Sequence, residues 1–85
     1  MHCLLIYDIT DDRVRGKVAD FCLDYGLDRI QYSAFVGQIS RNHTRELMRK
    51  IQARIGRSTA KVMLLTIPAD AWEERIVYEQ EGRDD

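Results

Sequence analysis

Residues 3–17, Cys3-Leu4-Leu5-Ile6-Tyr7-Asp8-Ile9-Thr10-Asp11-Asp12-Arg13-Val14-Arg15-Gly16-Lys17, decide the fold. An apolar run, Cys3 to Tyr7, delivers a single carboxylate, Asp8. Side chains alternate along a strand, so Leu4, Ile6 and Asp8 share one face and Cys3, Leu5, Tyr7 and Ile9 the other. Both faces are apolar, so residues 3–9 read as a central strand with Asp8 at the edge of a buried face. The polar cluster after Ile9 turns the chain into a helix predicted over 11–25. Val14, Val18, Phe21, Cys22 and Tyr25 recur at helical spacing and mark one apolar stripe. Thr10 or Asp11 suits the N-cap and Asp12 the first turn. Gly26 suits the residue just past the helix, with Leu27 packing back on the last turn. Arg13 and Lys17 lie near the helix start on one exposed face, with Asp20 and Asp24 further down it. That order opposes the helix macrodipole by about 0.3–1 kcal/mol per charge. An anionic partner near the helix start would account for it.

Outward from this unit, residues 28–39, Asp28-Arg29-Ile30-Gln31-Tyr32-Ser33-Ala34-Phe35-Val36-Gly37-Gln38-Ile39, are rich in strand formers. They form either one long strand or a tight hairpin turning near Tyr32-Ser33. No Gly or Asn marks such a turn, so turn chemistry alone favours one strand. A second helix is predicted over 43–55, with Asn42 as N-cap, Gly56 as stop, and Thr44, Leu47, Met48, Ile51 and Ile55 as its apolar stripe. Residues 61–67 read as another apolar, central strand ended by Pro68. Asp70 with Glu73 is a capping-box pattern for a short helical turn over 71–74. Residues 75–79 read as a last strand, and the acidic tail from Gln80 as frayed. With the hairpin, the order is βαββαβ plus a short C-terminal strand, an α+β sandwich of ferredoxin-like type. Helices cover one sheet face, and a homodimer would bury the other.

Eighty-five residues make one domain, 1–85, of ordinary globular composition, 45% apolar and 32% charged. Cys3 and Cys22 read as reduced core residues, which fits a cytoplasmic setting. The apolar run before Asp8 is too short for a signal peptide, and no segment could span a bilayer, so no membrane is expected. Net charge is only −1, yet it is unevenly distributed. The balance is −3 over residues 1–12, +7 over 13–61 and −5 over 62–85. Such asymmetry suits a single face that binds a polyanion. His43 has no second ligand at zinc spacing. There is no Ser-His-Asp or Cys-His constellation and no glycine-rich phosphate loop.

Two motifs carry a resemblance that covers the whole chain. Tyr7-Asp8-Ile9-Thr10-Asp11-Asp12 follows an apolar strand, and Gly26-Leu27-Asp28-Arg29-Ile30-Gln31-Tyr32-Ser33-Ala34-Phe35-Val36-Gly37 follows the first helix. Together they resemble the CRISPR-associated Cas-two family. Arg75-Ile76-Val77-Tyr78 is similar to that family's basic-apolar last strand. The resemblance implies a ferredoxin-like homodimer, a hairpin within 28–39, and a last strand able to join the partner's sheet. It implies a Mg²⁺- or Mn²⁺-dependent endonuclease acting on RNA or double-stranded DNA, and a place at the centre of a spacer-capture complex with the CRISPR integrase. It places the metal-binding, catalytic acid at Asp8. It assigns nuclease roles to the basic positions Arg15 and Arg29, and matches Phe35 to an aromatic of the second motif; Phe35 is a candidate nucleic-acid contact by base stacking, with an ordinary core or interface ring the favoured reading. Lys17 stands where some relatives carry Arg and keeps the charge without the bidentate fork. Arg13 joins this basic group.

The residues themselves weigh these roles differently. Asp8 alone is a poor metal site, because Mg²⁺ is typically held by one or two carboxylates plus phosphates. A two-fold axis near Asp8 would supply a second copy. Tyr7 points away from Asp8 and reads as core. Asp11 and Asp12 read as first-turn acids. Three other readings stand beside the nuclease: a non-catalytic scaffold binding duplex DNA through Arg13, Lys17, Arg41, Arg45 and Arg49, a toxin-type endoribonuclease of the same fold, and a small-molecule-sensing regulator. The last is disfavoured by the charge asymmetry. An RNA-recognition domain is disfavoured because its paired aromatics are missing from the central strands.

Overall fold

The structure, a computed structural model, describes residues 2–82. In chain order the elements are β1 (His2–Ile9), α1 (Asp12–Asp24), β2 (Asp28–Gln31), β3 (Ala34–Gly37), α2 (Arg41–Ile55), β4 (Ala60–Ile67) and α3 (Ala69–Glu73). The strands form one antiparallel sheet in the order β2-β3-β1-β4. Both long helices pack on one face of it, giving the ferredoxin-like α+β sandwich.

The alternation in β1 holds residue by residue. Cys3, Leu5, Tyr7 and Ile9 are buried, and the latter three join Val14, Val18, Cys22, Leu27, Phe35, Leu47 and Ile51 in the core beneath the helices. Each fully enclosed Leu, Ile, Val or Phe contributes about 1.5–3 kcal/mol. Leu4, Ile6 and Asp8 face the other way, beside Leu65, Met63 and Lys61 of β4 in register. Neither long helix covers this second face, and Met63 and Leu65 remain 41% and 42% exposed.

Asp11 is the N-cap of α1; its carboxylate accepts the Val14 N–H at 3.0 Å. The helix closes as expected. Gly26 takes φ +84°, a left-handed conformation that costs glycine little, while its N–H reaches Leu23 O and the Leu27 N–H reaches Cys22 O, each at 3.0 Å.

Residues 28–39 form the hairpin of the expected βαββαβ order, against the single strand that turn chemistry alone favours. The turn at Tyr32-Ser33 contains no positive φ, so it needs neither Gly nor Asn, and the ladder absorbs the mismatch through a register shift between Arg29 and Gln31. Tertiary pairing settles it, because the Tyr7 N–H donates to Ser33 O at 3.0 Å. α2 starts at Arg41 behind Ser40, whose hydroxyl accepts the His43 N–H at 3.1 Å, so Asn42 lies inside the helix. β4 is an edge strand, not a central one; its two apolar faces reflect the uncovered sheet face. The short helix α3 starts behind Pro68 without a side-chain cap.

The additional strand expected over 75–79 is not formed in the single chain. Residues 75–82 carry no regular structure, and Ile76 is 97% exposed. A strand needs a neighbour to accept its backbone hydrogen bonds; the segment lines a depression with Arg29, Ile30 and Gln31 of β2 but makes no backbone pairing there. The end of the acidic tail, residues 83–85, lies outside the described residues. At the root of this segment, Trp72 stacks on His2 with ring centroids 5.6 Å apart, and the Arg75 guanidinium lies 3.9 Å from the Trp72 ring.

Candidate functional site

Asp8 is the penultimate residue of β1, exposed, and directly opposite Lys61 across the β1–β4 ladder. It lines a shallow depression of about 220 Å³ with Ile6, Tyr7, Lys61 and Met63. Among the described residues it has no salt-bridge partner, since the one ion pair joins Arg15 to Asp12. No group of three His, Cys, Asp or Glu able to hold a metal occurs among the described residues. One chain therefore offers one free carboxylate at the rim of an uncovered apolar face.

The basic residues gather elsewhere. Arg29 lies opposite Phe35 in the β2–β3 ladder, on the helix side of the sheet. Its guanidinium lies 5.1 Å from the Phe35 ring and 5.8 Å from that of Tyr32. Arg15, on α1, lies 5.7 Å from the same Tyr32 ring. Its Nη1 donates to Ile9 O at 2.9 Å, and its Nη2 to the Asp12 carboxylate. Asp12 and Tyr32 hold the guanidinium more firmly protonated than usual. Asp8 turns to the open face, while Arg15 and Arg29 converge on the helix side. The predicted acid and bases are thus neighbours along the fold but lie on different sides of the sheet.

Burial pushes the Tyr7 phenol up, an effect opposed by the nearby Arg29 guanidinium, and its hydroxyl makes no hydrogen bond. Burial also pushes the Cys22 thiol up to about 12. Tyr7 stacks on Phe35 at 6.1 Å, as a core aromatic should. Phe35 is 0% exposed, which bears out the core reading and corrects the alternative of a contact with nucleic acid, since an enclosed ring cannot stack a base. Arg13 is exposed near the start of α1. Lys17 is also exposed, its amine 5.3 Å from the Phe21 ring. The residue that sequence reasoning missed is Tyr32. Its signal was a bulky aromatic in a turn, where small polar residues are usual.

A ferredoxin-like sandwich whose first strand ends in one exposed acid, with a paired-arginine cluster beside the first hairpin, defines a class of small α+β protein. The chain belongs to the CRISPR associated protein Cas2 family, whose model matches residues 1–75. It is 51% identical over 84 residues to a Chloroflexus aurantiacus protein named CRISPR-associated endoribonuclease Cas2 2, with 99% of each chain covered. It is 36% identical over 67 residues to a Thermoproteus tenax protein named as a fusion of endonuclease Cas1 and endonuclease Cas2, covering 79% of this chain and 25% of the fusion. Among solved structures, Streptococcus pyogenes Cas2 at pH 6.5 superposes with a TM-score of 0.79 at 21% identity, covering 94% of this chain and 100% of that one. This last likeness speaks for the fold. Among the described residues, no helix is long and apolar enough to cross a membrane.

Proposed function

We propose that the chain works as a homodimeric endoribonuclease that uses Mg²⁺ or Mn²⁺, also accepts double-stranded DNA, and partners the CRISPR integrase. The observation that carries this reading is Asp8 at the rim of the uncovered face of Ile6, Met63 and Leu65. Burying that face against a second copy would bring two Asp8 carboxylates toward one axis. Two carboxylates brought together repel, which favours recruiting a cation. Two carboxylates plus phosphate oxygens suit a hard divalent ion that keeps several waters. Bound there, it would supply Lewis acidity toward the scissile phosphate and a more acidic water.

The chain's own residues then divide the work. Asp8 holds the ion. Arg15 and Arg29 hold backbone phosphates from the helix side, with Arg13 and Lys17 extending the contact as point charges. The exposed row Ile76-Val77-Tyr78 joins the partner's sheet at an edge such as β4, which presents unpaired backbone groups. The names of the relatives support RNA as substrate, and the fused relative supports the integrase partnership.

The test is cleavage of single-stranded RNA and duplex DNA by wild type and Asp8→Asn, with and without Mg²⁺ or Mn²⁺, alongside mass by light scattering. Loss of cleavage with the dimer retained is expected; equal cleavage by the variant would sink the assignment.

A second reading is favoured by the exposed bases Arg41, Arg45 and Arg49 on α2: a scaffold that binds duplex DNA without cutting it. Under it, Asp8→Asn still supports spacer acquisition, whereas charge reversal of those arginines does not.

A further inference from the structure

Tyr32 occupies the turn between β2 and β3 and is 69% exposed, yet two cations share its ring. The Arg15 and Arg29 guanidiniums lie 5.7 Å and 5.8 Å from its centroid. Two guanidiniums repel, so convergence on one ring needs compensation. Arg15 has it in Asp12 and in the Ile9 carbonyl. Arg29 has no salt-bridge partner among the described residues. It rests instead on the Tyr32 and Phe35 rings, beside the buried Tyr7 hydroxyl that accepts no hydrogen bond. The cluster therefore carries surplus positive charge. Both forks can pair with phosphate oxygens, which is what planar guanidiniums do best.

The turn that carries the ring is anchored. Ser33, its neighbour in the turn, accepts the Tyr7 N–H at 3.0 Å, which fixes the turn to the middle of the sheet. A long Arg side chain loses much rotamer freedom when it is held in one place. An aromatic face bearing on two such chains shares that cost between them and orders the forks before any ligand arrives.

We infer that Tyr32 is the positioning residue of a two-arginine phosphate site, built with Arg15 and Arg29 on the helix side of the sheet, that takes the phosphodiester backbone of RNA. This rests on the reading of the chain as a nucleic-acid-binding protein. It adds to that reading a residue that acts through the two arginines, on the side of the sheet away from Asp8, rather than by touching the reacting phosphate.

The experiment is fluorescence anisotropy of a short labelled single-stranded RNA, titrated with the full chain across a range of salt. The proteins are wild type, Tyr32→Ala, Tyr32→Gln, Tyr32→Phe, the Arg15→Ala/Arg29→Ala pair, and that pair combined with Tyr32→Ala. Tyr32→Ala and Tyr32→Gln should each weaken binding by about 5- to 30-fold, the scale of two exposed cation–π contacts. They should also flatten the salt dependence, because fewer phosphates are neutralised. Tyr32→Phe should recover most of the loss, since the ring remains. In the double-arginine background, Tyr32→Ala should add nothing. The inference is overturned if Tyr32→Ala binds with wild-type affinity and salt slope. It is equally overturned if the loss persists undiminished without the two arginines, which would make Tyr32 a direct stacking contact. Absence of RNA binding by the wild type would overturn the underlying reading and this inference with it, which separates the two failures.

Discussion

Arg15 Nη1 donates to the carbonyl of Ile9 at 2.9 Å, so the first turn of α1 is tied to the strand end one residue beyond Asp8. The same side chain pairs with Asp12 and approaches Tyr32. Arg15 therefore has a structural and a binding role that one substitution would confound. Arg15→Ala should lower the melting temperature by a few degrees and weaken RNA binding. Arg15→Lys should restore the charge but not the fork, leaving binding intermediate. Thermal melts and anisotropy on the same samples separate the two effects.

Gly37 sits where β3 passes the end of α1. A Cβ there would stand 2.7 Å from Leu27 Cδ2 and 3.2 Å from both Gly26 O and Leu27 Cα. Leu27 is a buried core residue just beyond the helix, and backbone closes two sides of the gap. Gly37→Ala should cost about 1–3 kcal/mol, the range for overpacking. Urea melts with an unchanged slope would attribute the loss to the folded state.

The uncovered sheet face makes its own prediction. Leu65 lies opposite Leu4 in register and is 42% exposed in the single chain. Leu65→Glu would place a charge in the proposed subunit interface, where it has no partner. Sedimentation should show the dimer dissociating while far-UV circular dichroism stays unchanged. A variant that remains dimeric would place the second copy on another surface.

Cys22 predicts an alkaline limb to the stability curve. Burial raises its thiol from 9.0 in the unfolded chain to about 12 in the fold. Above pH 9 the unfolded state loses the proton first, so stability is fully present below that point and falls as pH rises toward 12. Tyr7, also raised by burial, adds the same sign above its ordinary value of 10.0. Denaturant melts through this range should show the decline, and Cys22→Ala should make it shallower. Cys22 should also resist alkylation until the chain is unfolded.

How much of this was readable beforehand depends on how local each signal is. The two faces of β1, the Asp11 cap and the Gly26 stop are written within a few residues, and each is found where its chemistry demanded. The hairpin was not legible from turn residues, because Tyr32-Ser33 closes without a left-handed residue and is held by β1, far away in sequence. The start of α2 was displaced because Ser40 and Asn42 are both good caps, and bases in a first turn argue against starting there. β4 read as central because both its faces are apolar; that signal reports an uncovered face as readily as a middle position. At the site, Asp8 read in isolation is better suited to capping a turn, and only the resemblance singles it out as a metal ligand; strand alternation placed it away from Tyr7. The convergence of Arg15 and Arg29 on Tyr32 joins a helix to a turn and has no counterpart in linear spacing. The enclosure of Phe35 likewise follows from its register with Leu5, which only pairing reveals.

Trp72 is the only tryptophan in the chain, and it lies between the His2 ring and the Arg75 guanidinium where the C-terminal segment leaves the body. The molecule therefore carries an optical reporter at the hinge of that segment. Drawing Ile76 to Tyr78 into another sheet would shift Arg75 and change the polarity around the indole. Intrinsic emission, followed in a stopped-flow instrument after dilution, would time subunit exchange without any attached dye, and a substitution at Arg75 would set the baseline for the signal.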